Sequence, residues 1–484
     1  MPYTVFYITG YILTSLGCGM LIVSTLDAVL IVDHPHWAPF LLGGCLTSFI
    51  GTSFIFAFRG LKSFNYLRVR EIFLLTFISW VTLSFCAAIP LWLSPLQIPF
   101  VDAIFEMVSA LTTTGATIFK KIEILPKSIL LWRSILQWIG GIGISIMAIT
   151  LLPILKVGGM GLFRSEFSDN SEKVLPQLSQ ITTSILVIYS VLTLSSCSLY
   201  FYGGMSLFDA FCHAMATVST GGLSNYTDSF LHFNSNFINI VCIAFMYLSS
   251  LPFILYVKAF RGHSRSFHGN SQVKTFTKTY LFFTIILIFW LWYKENTDVL
   301  YALQKSAFTV MSILSTTGFT NHDYMVWGSF PAVLVFFISM IGGCTGSTSG
   351  GVKIFRFEIL SRICGAHIKT IHTPHGIFKP TYNGQLIDNT IVTSVIVFLV
   401  LWAFTIFSIA FLGAFWGLDL ITAISGAIAT VTNVGPGVGS VIGPSGHYAD
   451  LPEFVKWLYM AGMMLGRLEF LTIIVLFSFS AWRK

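Results

Sequence analysis

Charge is what this chain has least of. Only 10% of its 484 residues are Asp, Glu, Lys or Arg, and mean hydropathy is +0.80, whereas soluble domains carry about 25% charged residues. That excludes a water-soluble fold. The 27 Lys and Arg and the 20 Asp and Glu are clumped, leaving charge-free stretches that fit a hydrocarbon core about 30 Å thick. Eight cysteines stand singly, with no C-x-x-C pair and no metal spacing, so they read as small packing residues. No span carries Arg or Lys at every third position, which excludes a voltage sensor. Asp pairs, a Ser–His arrangement or a metal cluster within spans are also missing, and the chain is read as not an enzyme. Of eleven histidines, only His213 falls in a short apolar segment. His372 and His375 have no third ligand nearby, so no metal site is expected. No Lys or Arg precedes Arg59, and the first apolar stretch, 3–31, is too long for a secretory signal, so it is read as a resident helix.

What is present is a series of apolar spans. Hydropathy and Gly/Pro punctuation predict ten, at 3–31, 38–58, 72–93, 128–155, 181–202, 235–256, 278–293, 329–363, 390–415 and 454–480. An even number puts both termini on one side. The segments 59–70, 156–173, 258–278, 353–379 and 483–484 lie on that side and hold 19 of the 27 basic residues, so the termini are expected in the cytoplasm. The net charge of +7 therefore sets topology, and no nucleic-acid partner is expected. Membrane lipid is the surrounding partner.

Four shorter apolar segments lie between spans on the other side: Val101–Gly115, Leu207–Gly221, Gln304–Gly318 and Ile421–Gly435. Each has an apolar half-helix, then Thr/Ser-rich residues, then glycine. This predicts a fourfold repeat of span, half-helix, loop and span behind an extra hairpin. The expected units are 1–65 for the hairpin, then 66–175, 176–270, 271–385 and 386–484. Irregular backbone at membrane depth is tolerated only where protein buries it or it lines a watery path. Four such loops around one axis would offer carbonyl oxygens in place of a cation's hydration shell. The half-helices would aim their negative C-terminal ends at the same point. The expected fold class is an all-α polytopic membrane protein, with four helix–pore-helix–filter-loop–helix units around one central pore.

At Thr112-Thr113-Thr114-Gly115, Val218-Ser219-Thr220-Gly221, Ser315-Thr316-Thr317-Gly318 and Thr432-Asn433-Val434-Gly435 the sequence resembles the Trk/Ktr/HKT superfamily of potassium transporters, most closely its TrkH-type branch. The resemblance covers nearly the whole chain. It implies that these residues form one asymmetric potassium-binding filter, with Gly115, Gly221, Gly318 and Gly435 as its glycines. Members with serine at the first of these positions tend to pass sodium, so Gly115 favours potassium. The resemblance also implies that Gly342, Gly343, Cys344, Thr345, Gly346, Ser347, Thr348, Ser349, Gly350 and Gly351 form an intramembrane gate loop. Five glycines in that stretch are incompatible with a stable helix, and it lacks the Gly-Lys-Ser/Thr ending of a nucleotide loop.

Arg467 in the last span is an intramembrane charge and hence a functional candidate. The resemblance implies that it lines the pore near the gate loop, where it would repel a waiting cation and hold the loop by hydrogen bonds. The alternative is a structural arginine satisfied by helix C-terminal carbonyls or by Glu469. Asp102 and Asp209 are expected as N-caps. Asp228, Asp323, Asp450 and Glu453 follow the loops and would gather cations at the mouth. The resemblance further implies uptake of potassium, as substrate, across a bacterial inner membrane by a homodimer. A separate cytosolic RCK-type, TrkA-like subunit would carry the nucleotide and open the gate, with no covalent cofactor here. An alternating-access or proton- or sodium-coupled symporter is the competing reading.

Overall fold

The computed structural model describes residues 3–30, 36–60, 69–150, 174–262, 266–383, 385–470 and 476. It is helical almost throughout. The N-terminal hairpin consists of α1 (Tyr3–Leu30) and α2 (Trp37–Phe58). Gly10 and Gly17 face Gly51 and Gly44 across it, and a Cβ on Gly17 would lie 2.8 Å from the Gly44 carbonyl. Close backbone approach of this kind is how helices associate without a hydrophobic drive between them.

The rest is built from four units. The first has α3 (Val69–Trp92), the half-helix α4 (Phe100–Leu111) and α5 (Lys127–Thr150). The second has α6 (Val174–Tyr202), the half-helix α7 (Leu207–Val218), and α8 (Asn236–Ser249) with α9 (Phe253–Phe260). The third has α10 (Ser271–Lys294), α11 (Val299–Leu314), α12 (Ser329–Ile338) and α13 (Ile354–His372). The fourth has α14 (Asn389–Phe415), the half-helix α15 (Leu420–Val431) and α16 (Glu453–Arg467). One hydrophobic core joins the second and third units, and another joins the first and fourth. Phe407, Phe411 and Phe415 of α14 stay exposed, as expected of a surface that meets hydrocarbon.

Three of the ten expected spans differ from continuous helices. The sixth breaks at Ser250–Pro252, where α8 and α9 meet at 87°, because proline cannot donate the next helical bond. The eighth becomes α12 and α13 with the glycine-rich loop between them. The tenth ends at Arg467, since Glu469 adopts φ +58°; the end of that span, 471–475 and 477–480, lies outside the described residues, as do 151–155 of the fourth. Among the described residues, seven helices are long and apolar enough to cross a membrane, or eight with the bent pair counted. The unit boundary expected at 175 falls just inside α6, and that at 385 falls in a short hairpin, Thr381–Tyr382 with Gln385–Leu386.

Candidate ion pathway

Each half-helix ends in the same way. The residues after the C-caps, Thr113, Thr220, Thr316 and Asn433, take the left-handed conformation, at φ +52°, +52°, +60° and +55°. The next N–H reaches back five residues: Thr114 to Ser109 (2.9 Å), Gly221 to Ala216 (2.9 Å), Thr317 to Ser312 (2.9 Å) and Val434 to Ala429 (3.0 Å). This is the Schellman ending, usually made by glycine. Three β-branched threonines in that conformation are rare, and such strain gathers at functional sites.

The following residue is a glycine of positive φ in every unit: Gly115 (+84°), Gly222 (+77°), Gly318 (+80°) and Gly435 (+93°). The repeat register in the second unit is therefore one residue later than expected. Gly222, not Gly221, is the counterpart of the other three, and Ser219, not Thr220 or Val218, is the counterpart of Thr112, Ser315 and Thr432. The reason is that α7 ends at Val218, so the left-handed turn falls on Thr220.

These glycines close a ring. A Cβ on Gly115 would lie 2.5 Å from the Gly221 carbonyl oxygen, one on Gly222 1.8 Å from that of Thr317, one on Gly318 2.0 Å from that of Val434, and one on Gly435 2.5 Å from that of Thr114. Each unit thus packs its glycine on the next unit's backbone, and the fourth packs on the first. A cavity of about 60 Å³ beside the ring is bordered by all four glycines. Hydroxyls bind locally, with Thr112 Oγ1 and Thr114 Oγ1 2.8 Å apart and Ser315 Oγ and Thr317 Oγ1 2.7 Å apart. Asn433 Nδ2 donates to Thr114 Oγ1 (2.9 Å) and to the Met463 carbonyl (3.0 Å).

The glycine-rich loop lies buried against the half-helix C-termini. Its ends pair in parallel, Ile341 with Val352 and Gly342 with Lys353. Gly343, Cys344, Thr345, Gly346 and Ser347 follow, with the Cys344 N–H donating to Ser250 and the Gly346 carbonyl accepting from Phe253. Thr348 Oγ1 is 3.1 Å from the Val218 carbonyl and 3.2 Å from that of Ser249. Ser349 Oγ donates to Ser250 Oγ (3.1 Å), and the Gly350 N–H donates to Thr316 Oγ1 (2.6 Å). A Cβ on Gly350 would meet the Thr432 carbonyl at 2.5 Å. Gly351, at φ +65°, turns the chain back. The loop therefore touches the ends of α7, α11 and α15 at once.

Among the described residues, Arg467 makes neither of the contacts expected of it, the hydrogen bonds to the gate loop or the pair with Glu469. It is 3% exposed, and its three guanidinium nitrogens have no hydrogen-bond partner among the described residues. Glu469 pairs instead with Arg356, Nη2 to Oε2 at 2.6 Å. The loop carbonyl of Ser349 is held by Lys353 Nζ, not by Arg467. Lys353, Arg356 and Arg467 are all buried with Glu469, so positive charge is in excess on the loop side of the ring.

Other charged residues also move from expectation. Ser206, not Asp209, caps α7. It accepts from the Asp209 N–H (3.1 Å), as an N-cap does, and donates to Asp209 Oδ2 (2.6 Å). Asp102 sits in the first turn of α4 and pairs with Lys456 at 2.5 Å. At the mouth, Asp450 pairs with Lys120 at 2.7 Å; this hydrogen bond holds the exposed carboxyl below its usual range. Glu106, Arg133, Gln137 and Tyr448 escaped the sequence reading. Gln137 Nε2 donates to the Gly221 carbonyl, Tyr448 OH donates to that of Gly435 (2.7 Å), and Arg133 Nε meets Glu106 Oε1 at 2.7 Å. The available signal was a carboxylate inside an apolar half-helix and an arginine inside an apolar span.

Comparison with known proteins agrees with this geometry. A family model for TrkH, described as a cation transport protein, matches residues 40–482. The Trk system potassium uptake protein TrkI of Halomonas elongata is 41% identical over 86% of this chain and 85% of its own length. TrkG of Escherichia coli K12, also named a Trk system potassium uptake protein, is 34% identical over 87% of each chain. The crystal structure of the potassium transporter TrkH from Vibrio parahaemolyticus superposes with a TM-score of 0.91, at 29% identity and 99% coverage of both chains. With its multi-pass helical fold and fourfold ring, the chain belongs to the TrkH family of cation transport proteins.

Proposed function

We propose that this chain is a potassium uptake transporter whose ion path runs through the ring of Gly115, Gly222, Gly318 and Gly435. The closed cycle of glycine-to-carbonyl contacts carries this reading. Backbone oxygens on four converging loops replace water around a monovalent cation, and the half-helix C-termini add negative potential. The potassium-binding residues are the loops 112–115, 219–222, 315–318 and 432–435. Potassium is the substrate, and no resident cofactor or catalytic step is part of the reading. Loop 342–351 acts as the gate, because it lies against three of the half-helix ends.

The charge distribution supports cytoplasmic termini in a bacterial inner membrane. The relatives' names, which speak of a Trk system, support a multi-component assembly. We assign it a homodimer, with a cytosolic RCK-type, TrkA-like subunit as the only nucleotide binder. Recordings of the purified protein in planar bilayers with potassium and sodium test the reading. Unitary currents that favour potassium are expected. Slow, saturating, proton- or sodium-coupled flux without unitary currents would support a carrier instead.

A further inference from the structure

Glu106 and His213 occupy the same place in two units, nine residues before the ring glycines Gly115 and Gly222. Both are fully buried. Each reaches the residue two beyond its glycine. The Glu106 carboxylate accepts from Thr117 Oγ1 (3.1 Å) and from the Ile118 N–H (2.9 Å). His213 Nε2 is 2.9 Å from Ser224 Oγ. Its Nδ1 lies 2.8 Å from the Asp209 carbonyl and must donate there, so Nε2 accepts from the Ser224 hydroxyl. One brace, from half-helix to outgoing loop, is thus built with a carboxylate in one unit and a neutral imidazole in the other.

Arg133 of α5 joins the two braces. Its Nε donates to Glu106 Oε1 at 2.7 Å, and its Nη1 donates to the Ser224 carbonyl at 3.4 Å. It also borders the cavity beside the ring. In the third and fourth units, lysines reach the outgoing loops farther from the glycine, Lys305 Nζ donating to the Asn321 carbonyl (3.1 Å) and Lys456 Nζ to that of Ala449 (2.8 Å). Serines of the half-helices brace them as well. Ser312 Oγ donates to the Phe319 carbonyl (2.6 Å) and Ser425 Oγ to that of Val438 (2.9 Å). Among the described residues, the brace that couples a buried carboxylate to a guanidinium is the one at Gly115 and Gly222. Hydrogen bonds to an ionised group are shorter and about twice as strong as neutral ones, so Glu106 and Arg133 hold the loops that leave Gly115 and Gly222 firmly.

We propose that Glu106 and Arg133 are positioning residues for ion selectivity, which fix the loops that leave Gly115 and Gly222 without touching the ion. The inference rests on the reading of the ring as the filter. A buried ion pair used only for packing would change stability when altered, but not the preference between ions.

The test uses the purified full chain in liposomes, with sodium-to-potassium permeability ratios and thermal midpoints for three variants. Glu106→Gln should raise the ratio about three- to tenfold, the effect of losing a single hydrogen bond, and should lower the midpoint by stranding the Arg133 charge. Glu106→Gln/Arg133→Met should recover the midpoint but keep the raised ratio. Thr117→Val, which removes only the hydroxyl, should raise the ratio at an unchanged midpoint. A double variant or a Thr117→Val protein with the wild-type midpoint and the wild-type ratio would overturn the proposal. Gly115→Ser serves as the reference. If it shifts the ratio while the brace variants do not, the brace alone is wrong; if it too leaves the ratio unchanged, the filter reading itself fails.

Discussion

Glu469 forms its ion pair with Arg356, at 2.6 Å, and leaves Arg467, two residues earlier on the same segment, without a side-chain partner among the described residues. The pair ties α13, which follows the glycine-rich loop, to the end of α16. The Arg356 guanidinium also stacks 3.5 Å over the Phe398 ring. Arg467 is thereby left as a fixed charge that cannot be shed by deprotonation.

Arg467→Ala should raise cation flux about tenfold or more, because it removes the repulsion of a buried unit charge, which at an effective dielectric constant of about 20 is of the order of a few kcal/mol over several Å. The thermal midpoint should change little, since Glu469 keeps its partner. Rubidium uptake into liposomes and melting in detergent check both outcomes. Wild-type flux in a stable Arg467→Ala protein would remove Arg467 from the ion path.

Arg356→Ala should behave in the opposite way. It strands a buried carboxylate and should destabilise by about 3–5 kcal/mol. Arg356→Ala/Glu469→Gln should recover much of that loss. Melting curves of the two variants, compared with Arg467→Ala, show which arginine is structural.

Gly222→Ala should abolish selective flux, whereas Gly221→Ala should retain much of it. A Cβ on Gly222 meets the Thr317 carbonyl at 1.8 Å, in a backbone region that side chains avoid. A Cβ on Gly221 meets the end of the Gln137 side chain, at 2.5 Å, which can turn aside. Permeability ratios decide the register, and a more severe Gly221 variant would restore the one-residue-earlier alignment.

Thr348→Val should raise basal flux by up to about tenfold, the equivalent of one hydrogen bond. The hydroxyl it removes bonds the end of α7 and adds to the loop's other bonds to the end of α8. Flux of the chain on its own is the measurement, and an unchanged or lower value at normal folding would count against an obstructing loop.

Cys364, exposed on α13, should react with a membrane-impermeant maleimide in inside-out vesicles and not in intact cells. Labelling from the outside would invert the assigned topology.

Much was legible before any tertiary contact was known. Scarce charge fixed the solvent as lipid, and clustered Lys and Arg carry the expected orientation that Cys364 labelling tests. Four apolar segments ending in hydroxyl residues and glycine gave the half-helices, because an apolar stretch too short to cross must turn back on itself. The starts of α4, α7 and α15 came to within a residue, and α11 begins earlier than expected, at Val299 rather than Gln304. What the sequence could not decide was which of two adjacent glycines, Gly221 or Gly222, enters the ring. That depends on where α7 unwinds and on the Thr317 carbonyl, 95 residues away. Nor could it pair the charges: Glu469 stands beside Arg467 in sequence, yet the helix breaks between them and the carboxylate turns to Arg356. Local composition determined solvent and repeat. Ring closure and ion pairing were decided by packing between units, since those contacts join residues whose spacing along the chain carries no periodic signal.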